Sequence, residues 1–403
     1  MARWSKYLFF TLLFLVVGYL LAVQVLRWVA YGDDEQAAVA LMRDLPPPPA
    51  GESGFKYLAY AGKDAPDAAL DAALAADVAA FADYHARYAE TLAGGTDAAL
   101  EPAATPGADS LPSLPAVPAP DFACSFSQED CLASLRGHET AARAWLDADA
   151  PRTRRVEQAL ASSHLGNPYA LNVATPLPGY QLLRLPLNEI ALQALEGDVA
   201  GALPRACDLL ANSRKHLRND GLLIDKVVFA AFTQGASDLL LRVHSLDPSA
   251  ALPEDCAEAI EPVDVGDFQV CNALRGEFAM ISELSRQMDE ANRGWRTPTR
   301  WVLTSRQLQD GWMATALAPY CTPEGQAAIA RGEIPRVLVN DYDRGSIDFW
   351  AAPISHTLAS ISSPAYGSYQ QRLLDHAQAL RTNLEAIARI KPPAPAQEPP
   401  AAN

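Results

Sequence analysis

The chain has 403 residues, 49% of them hydrophobic, with 32 Lys and Arg against 48 Asp and Glu, for a net charge of −16. So acidic a chain excludes nucleic acid as a partner, because that binding is driven by Lys and Arg neutralising phosphates. The same balance excludes a polybasic grip on anionic lipid. Arg outnumbers Lys and Ala is abundant, a composition expected of a GC-rich bacterial genome.

The first element is an apolar run from Tyr7 to Val29, interrupted by Thr11, Gln24 and Arg27. Its roughly 20 uncharged residues before Arg27 are enough to cross ~30 Å of hydrocarbon as a helix. A signal-peptide core would be shorter, roughly 7–15 residues, and bulky Trp28 stands where a cleavage site after Ala30 wants a small side chain. Residues 1–30 therefore read as an uncleaved transmembrane anchor, with the lipid bilayer as partner through residues 7–29. Arg3 and Lys6 precede the run and Asp33, Asp34 and Glu35 follow it. This predicts a cytoplasmic N-terminus and a C-terminal domain in the periplasm, on the inner membrane. Arg27 is expected to snorkel to the headgroups, and Trp4, Tyr7, Trp28 and Tyr31 to lie at the two interfaces.

Residues 31–65 read as a stalk containing the proline run Pro46–Pro49, which favours an extended spacer. An Ala-rich helix is expected over 66–100, with a stripe formed by Leu70, Leu74, Val78, Phe81, Tyr84 or His85, and Tyr88. Residues 101–123 carry Pro102, Pro106, Pro112, Pro115, Pro118 and Pro120 and read as a linker or long loop.

From 124 to 390 the patterning is helical throughout and predicts the main domain. Helices are expected at 128–147, 151–162, 178–196, 198–217, 220–244, 264–290, 299–318, 323–331, 346–361 and 365–390. Gly197 marks a helix end and Asp198 a cap. In 220–244, Val227, Phe232, Leu239 and Val243 belong to a wide apolar face opposite a polar stripe containing Asp225, Lys226, Thr233 and Ser237. Leu373, Ala377, Leu380, Leu384 and Ile387 form a coiled-coil-like seam too short for a sustained coiled coil, so packing on the chain's own body is expected. Val337–Val339 is the one hint of a strand, and the Pro/Ala-rich residues 391–403 read as a disordered tail. The fold class is thus all-α: one transmembrane helix plus an irregular multi-helix bundle or array. The stretch LEGDVAGALPRACDLL, 195–210, resembles a tetratricopeptide-type helical hairpin, which makes a repeat solenoid the second choice. No further copy occurs at a ~34-residue period.

Six cysteines, an even count, fit three disulfides in an oxidising compartment. Cys124 and Cys131 bracket a short segment and are expected to pair. Cys207, Cys256, Cys271 and Cys321 allow three connectivities, among which Cys256–Cys271 with Cys207–Cys321 is preferred. No Cys-x-x-Cys occurs, and no His lies within five residues of a Cys, so zinc spacing is lacking.

No phosphate-binding glycine loop and no nucleophile elbow occur. His138-Glu139 lacks the second His of a helical zinc site. The acidic run 340–348 departs from a calcium loop by one register and one ligand, and reads as a turn capping a helix from Ser346. No catalytic, cofactor or metal residue is assigned. Glu277 and Glu283, beside Arg275 and Arg286, are read as a helical charge network before an acid pair for glycoside cleavage. The unusual stretch is 293–312, where Arg293, Arg296, Arg300 and Arg306 alternate with Trp295, Trp301 and Trp312 and no acid intervenes before Asp310. Arg and Trp dominate binding hot spots, and Trp faces stack on sugars while Arg forks match anions. Arg293, Trp295, Arg296, Arg300, Trp301 and Arg306 therefore form the candidate surface for an envelope protein or glycan. The competing expectation is that the Trp side chains fill the core and the Arg side chains pair with surrounding acids. The function expected is an anchored extracytoplasmic interaction or scaffold protein. The alternatives are an envelope hydrolase or lyase acting on glycan or lipid, and an accessory subunit of a secretion or transport complex.

Overall fold

The computed structural model describes residues 2–47, 50–94, 103–126, 130–172, 174–218, 221–291, 302–336, 346–362 and 364–390. Among the described residues the regular structure is helical, and the only β-type pairings are two isolated bridges, Ser53 with His164 and Lys63 with Ser113. In chain order the helices are α1 (Ala2–Ala30), α2 (Asp33–Arg43), α3 (Phe55–Ala59), α4 (Asp67–Gly94), α5 (Pro106–Ser110), α6 (Cys131–Leu135), α7 (Glu139–Ala161), α8 (Arg184–Leu195) and α9 (Val199–Arg218). There follow α10 (Leu223–Leu246), α11 (Cys256–Ala259), α12 (Cys271–Ala291), α13 (Arg306–Leu317), α14 (Pro323–Ala330), α15 (Ile347–Ala351), α16 (Pro353–Ser362) and α17 (Pro364–Arg389). The all-α bundle expected from patterning is the fold observed. The hinted strand at 337–339 and the tail at 391–403 lie outside the described residues.

Helix α10 is the centre of the body, with α9 packed along one side and α17 along another. The seam of α17 closes on it: Leu373, Ala377, Leu380, Leu384 and Ile387 are all buried. Because α10 has neighbours on both sides, part of its expected polar stripe is interior. Lys226, Thr233 and Ser237 are buried, and Lys226 Nζ donates to the Leu217 carbonyl at 2.8 Å, at the end of α9. Charge at a helix C-terminus offsets part of the cost of burying that ammonium. The α8–α9 hairpin forms as its sequence suggests. Gly197 ends α8 at φ +93, where a Cβ would be strained, and Asp198 caps α9 by accepting from Gly201 N–H at 3.0 Å.

Several boundaries differ from expectation. The helices expected at 128–147 and 151–162 are largely one, α7, which runs through Pro151. The carbonyl that Pro151 leaves without a partner belongs to Asp147, an exposed position that water can reach. Conversely, the helix expected over 346–361 is two, because Ala352 precedes Pro353 and takes φ −160, ψ 80.

The stalk expected over 31–65 is corrected in its first half: residues 33–43 form α2, which packs on α12 and α13. Met42, Val39 and Ala38 are buried there, and burying a side chain such as Met or Val is worth about 1.5–3 kcal/mol. The approach is close because position 311 on α13 is glycine; a Cβ there would meet Tyr31 and Glu35 at 3.1 Å. The linker expected over 101–123 is also held. Helix α5 lies on α4, with Gly107 N–H and Ala108 N–H donating to the buried Asp77 carboxylate at 2.6 and 3.1 Å. Helix α4 packs on α12, so the Ala-rich helix belongs to the body.

Three disulfides close the fold: Cys124–Cys131, Cys207–Cys256 and Cys271–Cys321. The first is the pair expected. The other two overturn the expected Cys256–Cys271 and Cys207–Cys321. Buried Arg214 on α9 donates to the carbonyls of Ala259, Glu261 and Pro262 at 2.9, 2.8 and 3.2 Å. That clamp lays α11 on α9, bringing Cys256 to Cys207, while Cys271 opens α12 on the way to the end of α13. Each of these two bridges spans about 50 residues, and a loop of that size is worth about 4 kcal/mol in the chain-entropy account, with about 2–4 typical. Replacing Cys207 and Cys256 by Ser should therefore lower the unfolding free energy by about 2–4 kcal/mol. Non-reducing peptide mapping of the wild type should recover 207–256 and 271–321 links; a 256–271 link would contradict the fold.

Candidate membrane-proximal interface

Helix α1 contains a stretch, Lys6–Ala30, long and apolar enough to cross a membrane. Its side chains are exposed along most of that length, and only its last turns enter the body, where Val23 and Ala30 are buried. Arg27 lies between them. Its guanidinium donates through Nε to the Ala351 carbonyl at 3.0 Å and through Nη2 to Val302 and Thr304 carbonyls at 3.2 and 2.8 Å. This differs from the expected snorkelling: the charge is satisfied by backbone of the helical body. An always-charged fork with five donors suits three diverging carbonyls, and hydrogen bonds from a charged donor are worth about 1.5–3 kcal/mol each.

The chain turns at Gly32 and restarts as α2. Glu35 reaches back to accept from Gly32 N–H at 2.8 Å, and Asp33, Asp34 and Glu35 place negative charge on the positive end of the helix dipole. At the far end of α2, Arg43 donates to Asp310 Oδ2 at 3.2 Å, and Ser282 Oγ donates to the same oxygen at 2.8 Å. Asp310 is buried. Burial pushes its carboxyl above the usual range, opposed by Ser282, Arg306 and Arg43. This carboxylate thus joins α2, α12 and α13. A polar recess of about 520 Å³ opens beside the joint, lined by Gln24, Arg27, Trp28, Tyr31, Gln36 and Ser305 among others.

Of the Arg/Trp segment, Arg293, Trp295, Arg296, Arg300 and Trp301 lie outside the described residues. In the described part, Trp312 faces the core and Arg306 stays partly exposed. Trp312 is 2% exposed, with its ring edge-to-face against His356 at 5.2 Å, and Arg306 Nε lies 3.7 Å from Asp310. Core filling and ion pairing account for these two. The segment leads directly into Val302 and Thr304, the residues whose carbonyls Arg27 holds.

The acids considered for catalysis serve other ends. Glu283 accepts from Arg286 Nε at 2.7 Å and Gln287 at 3.0 Å, the helical charge network expected. Glu277 accepts from Leu223 N–H at 3.3 Å, and Asp225 from Leu222 N–H at 2.9 Å and the Tyr180 hydroxyl. Both carboxylates therefore cap the start of α10. Burial pushes the Asp225 carboxyl up to about 7, the Leu222 amide opposes the rise, and Glu277 adds to it; burial raises Glu277 as well. Sequence reading missed Asp225 as a perturbed acid because it lies on the presumed polar stripe of α10; only the packing of α12 and Tyr180 against that turn buries it. Among the described residues no group of three or more His, Cys, Asp or Glu could hold a metal ion.

The chain matches no protein-family model, no curated protein and no solved structure.

Asp225 sets a pH dependence with a definite sign. Its folded value, about 7, exceeds the ordinary 3.8, so the folded state binds the proton more tightly than the unfolded one. Its contribution to stability is complete below the ordinary value and is lost as pH rises through about 7. Thermal melts of Asp225→Asn should consequently show a smaller loss of Tm than the wild type between pH 4 and 7. Parallel curves would contradict this assignment.

Proposed function

We propose that this chain is a membrane-anchored, extracytoplasmic interaction or scaffold protein of the bacterial envelope. In this reading α1 crosses the inner membrane with Arg3 and Lys6 on the cytoplasmic side. The three-disulfide body then lies in the oxidising periplasm. The observation that carries the reading is the docking of α1 and α2 on the body. It fixes one face of the domain beside the anchor, and the Arg/Trp segment runs into Val302 at that face. A basic aromatic stretch that adjoins that face in sequence suits an envelope protein or a glycan at short range from the bilayer, in place of the long reach a stalk would give.

The alternative of an envelope hydrolase or lyase draws on Asp225 and Glu277, whose carboxyls are raised by burial. Both carboxylates are occupied by backbone N–H groups of α10, which favours the interaction reading.

The test is crosslinked affinity capture of the full-length protein from its own membranes, beside a variant carrying Arg293→Gln, Trp295→Ala, Arg296→Gln and Arg300→Gln. These changes stop short of α13, whose Trp312 belongs to the core, so the fold should survive. A specific envelope partner captured by the wild type and lost in the variant is the expected result. Equal capture by both, with unchanged melting, would remove this segment as the binding surface.

A further inference from the structure

Beside the joint between α1 and the body, α15 and α16 carry an apolar face turned outward. Ile347, Trp350, Ile354 and Leu358 are 52%, 60%, 39% and 39% exposed. Ile347 and Trp350 lie three residues apart on α15, and Ile354 and Leu358 four apart on α16, so each pair shares one side of its own helix. The opposite side, Ala351, Ala352, Ser355, His356 and Ala359, is buried in the domain. We propose that α15 and α16 form an interfacial foot that seats in the headgroup–acyl boundary of the bilayer α1 enters. The proposal rests on the reading of α1 as a membrane span.

Three observations select lipid as the occupant. The first is height. Arg27 Nε lies 3.0 Å from the Ala351 carbonyl, so Trp350 and Ala351 stand level with the Arg27–Trp28 turn. Trp28 is 81% exposed and sits at the end of the apolar span, where Trp side chains mark a membrane–water interface. Trp350 adds a second ring at that level. The second is continuity: the exposed apolar surface of α1 includes Leu21 and Val25 just below the joint, and α15 packs on α1. The third is charge. In a chain of net charge −16, α15 and α16 carry a single Asp, Glu, Lys or Arg, the half-buried Asp348, and no other occurs before Arg372. An acidic surface is repelled by anionic headgroups, and an uncharged apolar helix face is what can approach and enter them. A second copy fits less well, since four partly exposed side chains fall short of the ~800 Å² per partner of a stable interface.

The full-length protein, reconstituted in nanodiscs of phosphatidylethanolamine and phosphatidylglycerol, provides the test. Photoreactive benzoylphenylalanine is placed singly at positions 14, 350, 354, 358 and 196. Position 14 reports the span itself, and position 196 lies at the α8–α9 turn, several packed elements from α1. Lipid adducts at 14, 350, 354 and 358, and none at 196, are expected. Adding Trp350→Glu and Leu358→Glu should abolish the adduct at 354 while leaving that at 14. Adducts at 14 alone, or links from 350, 354 and 358 to protein only, would overturn the foot and leave the span intact. Absence of an adduct at 14 would overturn the span and the foot together.

Discussion

A guanidinium at the end of an apolar helix must find acceptors, and in this protein it finds them in the domain that follows. Arg27 ties α1 to the carbonyls of Val302, Thr304 and Ala351, segments some 275 to 324 residues away along the chain. Arg27 is half-buried, and a charge drawn away from water needs partners, so the position of α1 and the conformation of those two segments determine one another. The rest of the membrane-proximal architecture depends on that contact. Tyr31 and Glu35 then lie close against Gly311, α2 lies in its groove, and Arg43 reaches the buried Asp310.

The body repeats the device. Arg214, buried in α9, gathers the Ala259, Glu261 and Pro262 carbonyls, and by doing so decides which cysteines meet. In both places a cation collects backbone acceptors from distant segments, and a covalent bridge or an apolar helix face secures the arrangement. Such a body presents fixed surfaces, which suits a protein whose proposed role is to hold a binding face beside the bilayer.

The helical class, the apolar N-terminal element, the α8–α9 hairpin and the α17 seam were legible in the sequence, because each is a periodic pattern within one element. So was Cys124–Cys131, where a short connection leaves little choice. The other two bridges were not, since Arg214 is an ordinary basic residue until α11 lies on it. The dual burial of α10 was also hidden: Lys226, Thr233 and Ser237 look like a solvent face until α9 and α17 close on either side. Proline-rich composition suggested extended spacers at 31–65 and 101–123, yet Met42 and Val39 in one and Gly107 and Ala108 in the other are held by tertiary contacts. For the candidate site, Arg27 and Arg306 were visible as unusual charges, but their partners lie in distant segments that no local pattern identifies.

The central claim, that α1 and the helical body are joined without a flexible spacer, is most directly tested by electron–electron double resonance. Spin-labelled unnatural amino acids would replace exposed Val25 on α1 and Glu324 on α14 of the full-length protein in nanodiscs. A single narrow distance distribution that broadens on Arg27→Gln is predicted. A broad distribution in the wild type, unchanged by that substitution, would mean that the domain swings on a stalk and would contradict the account.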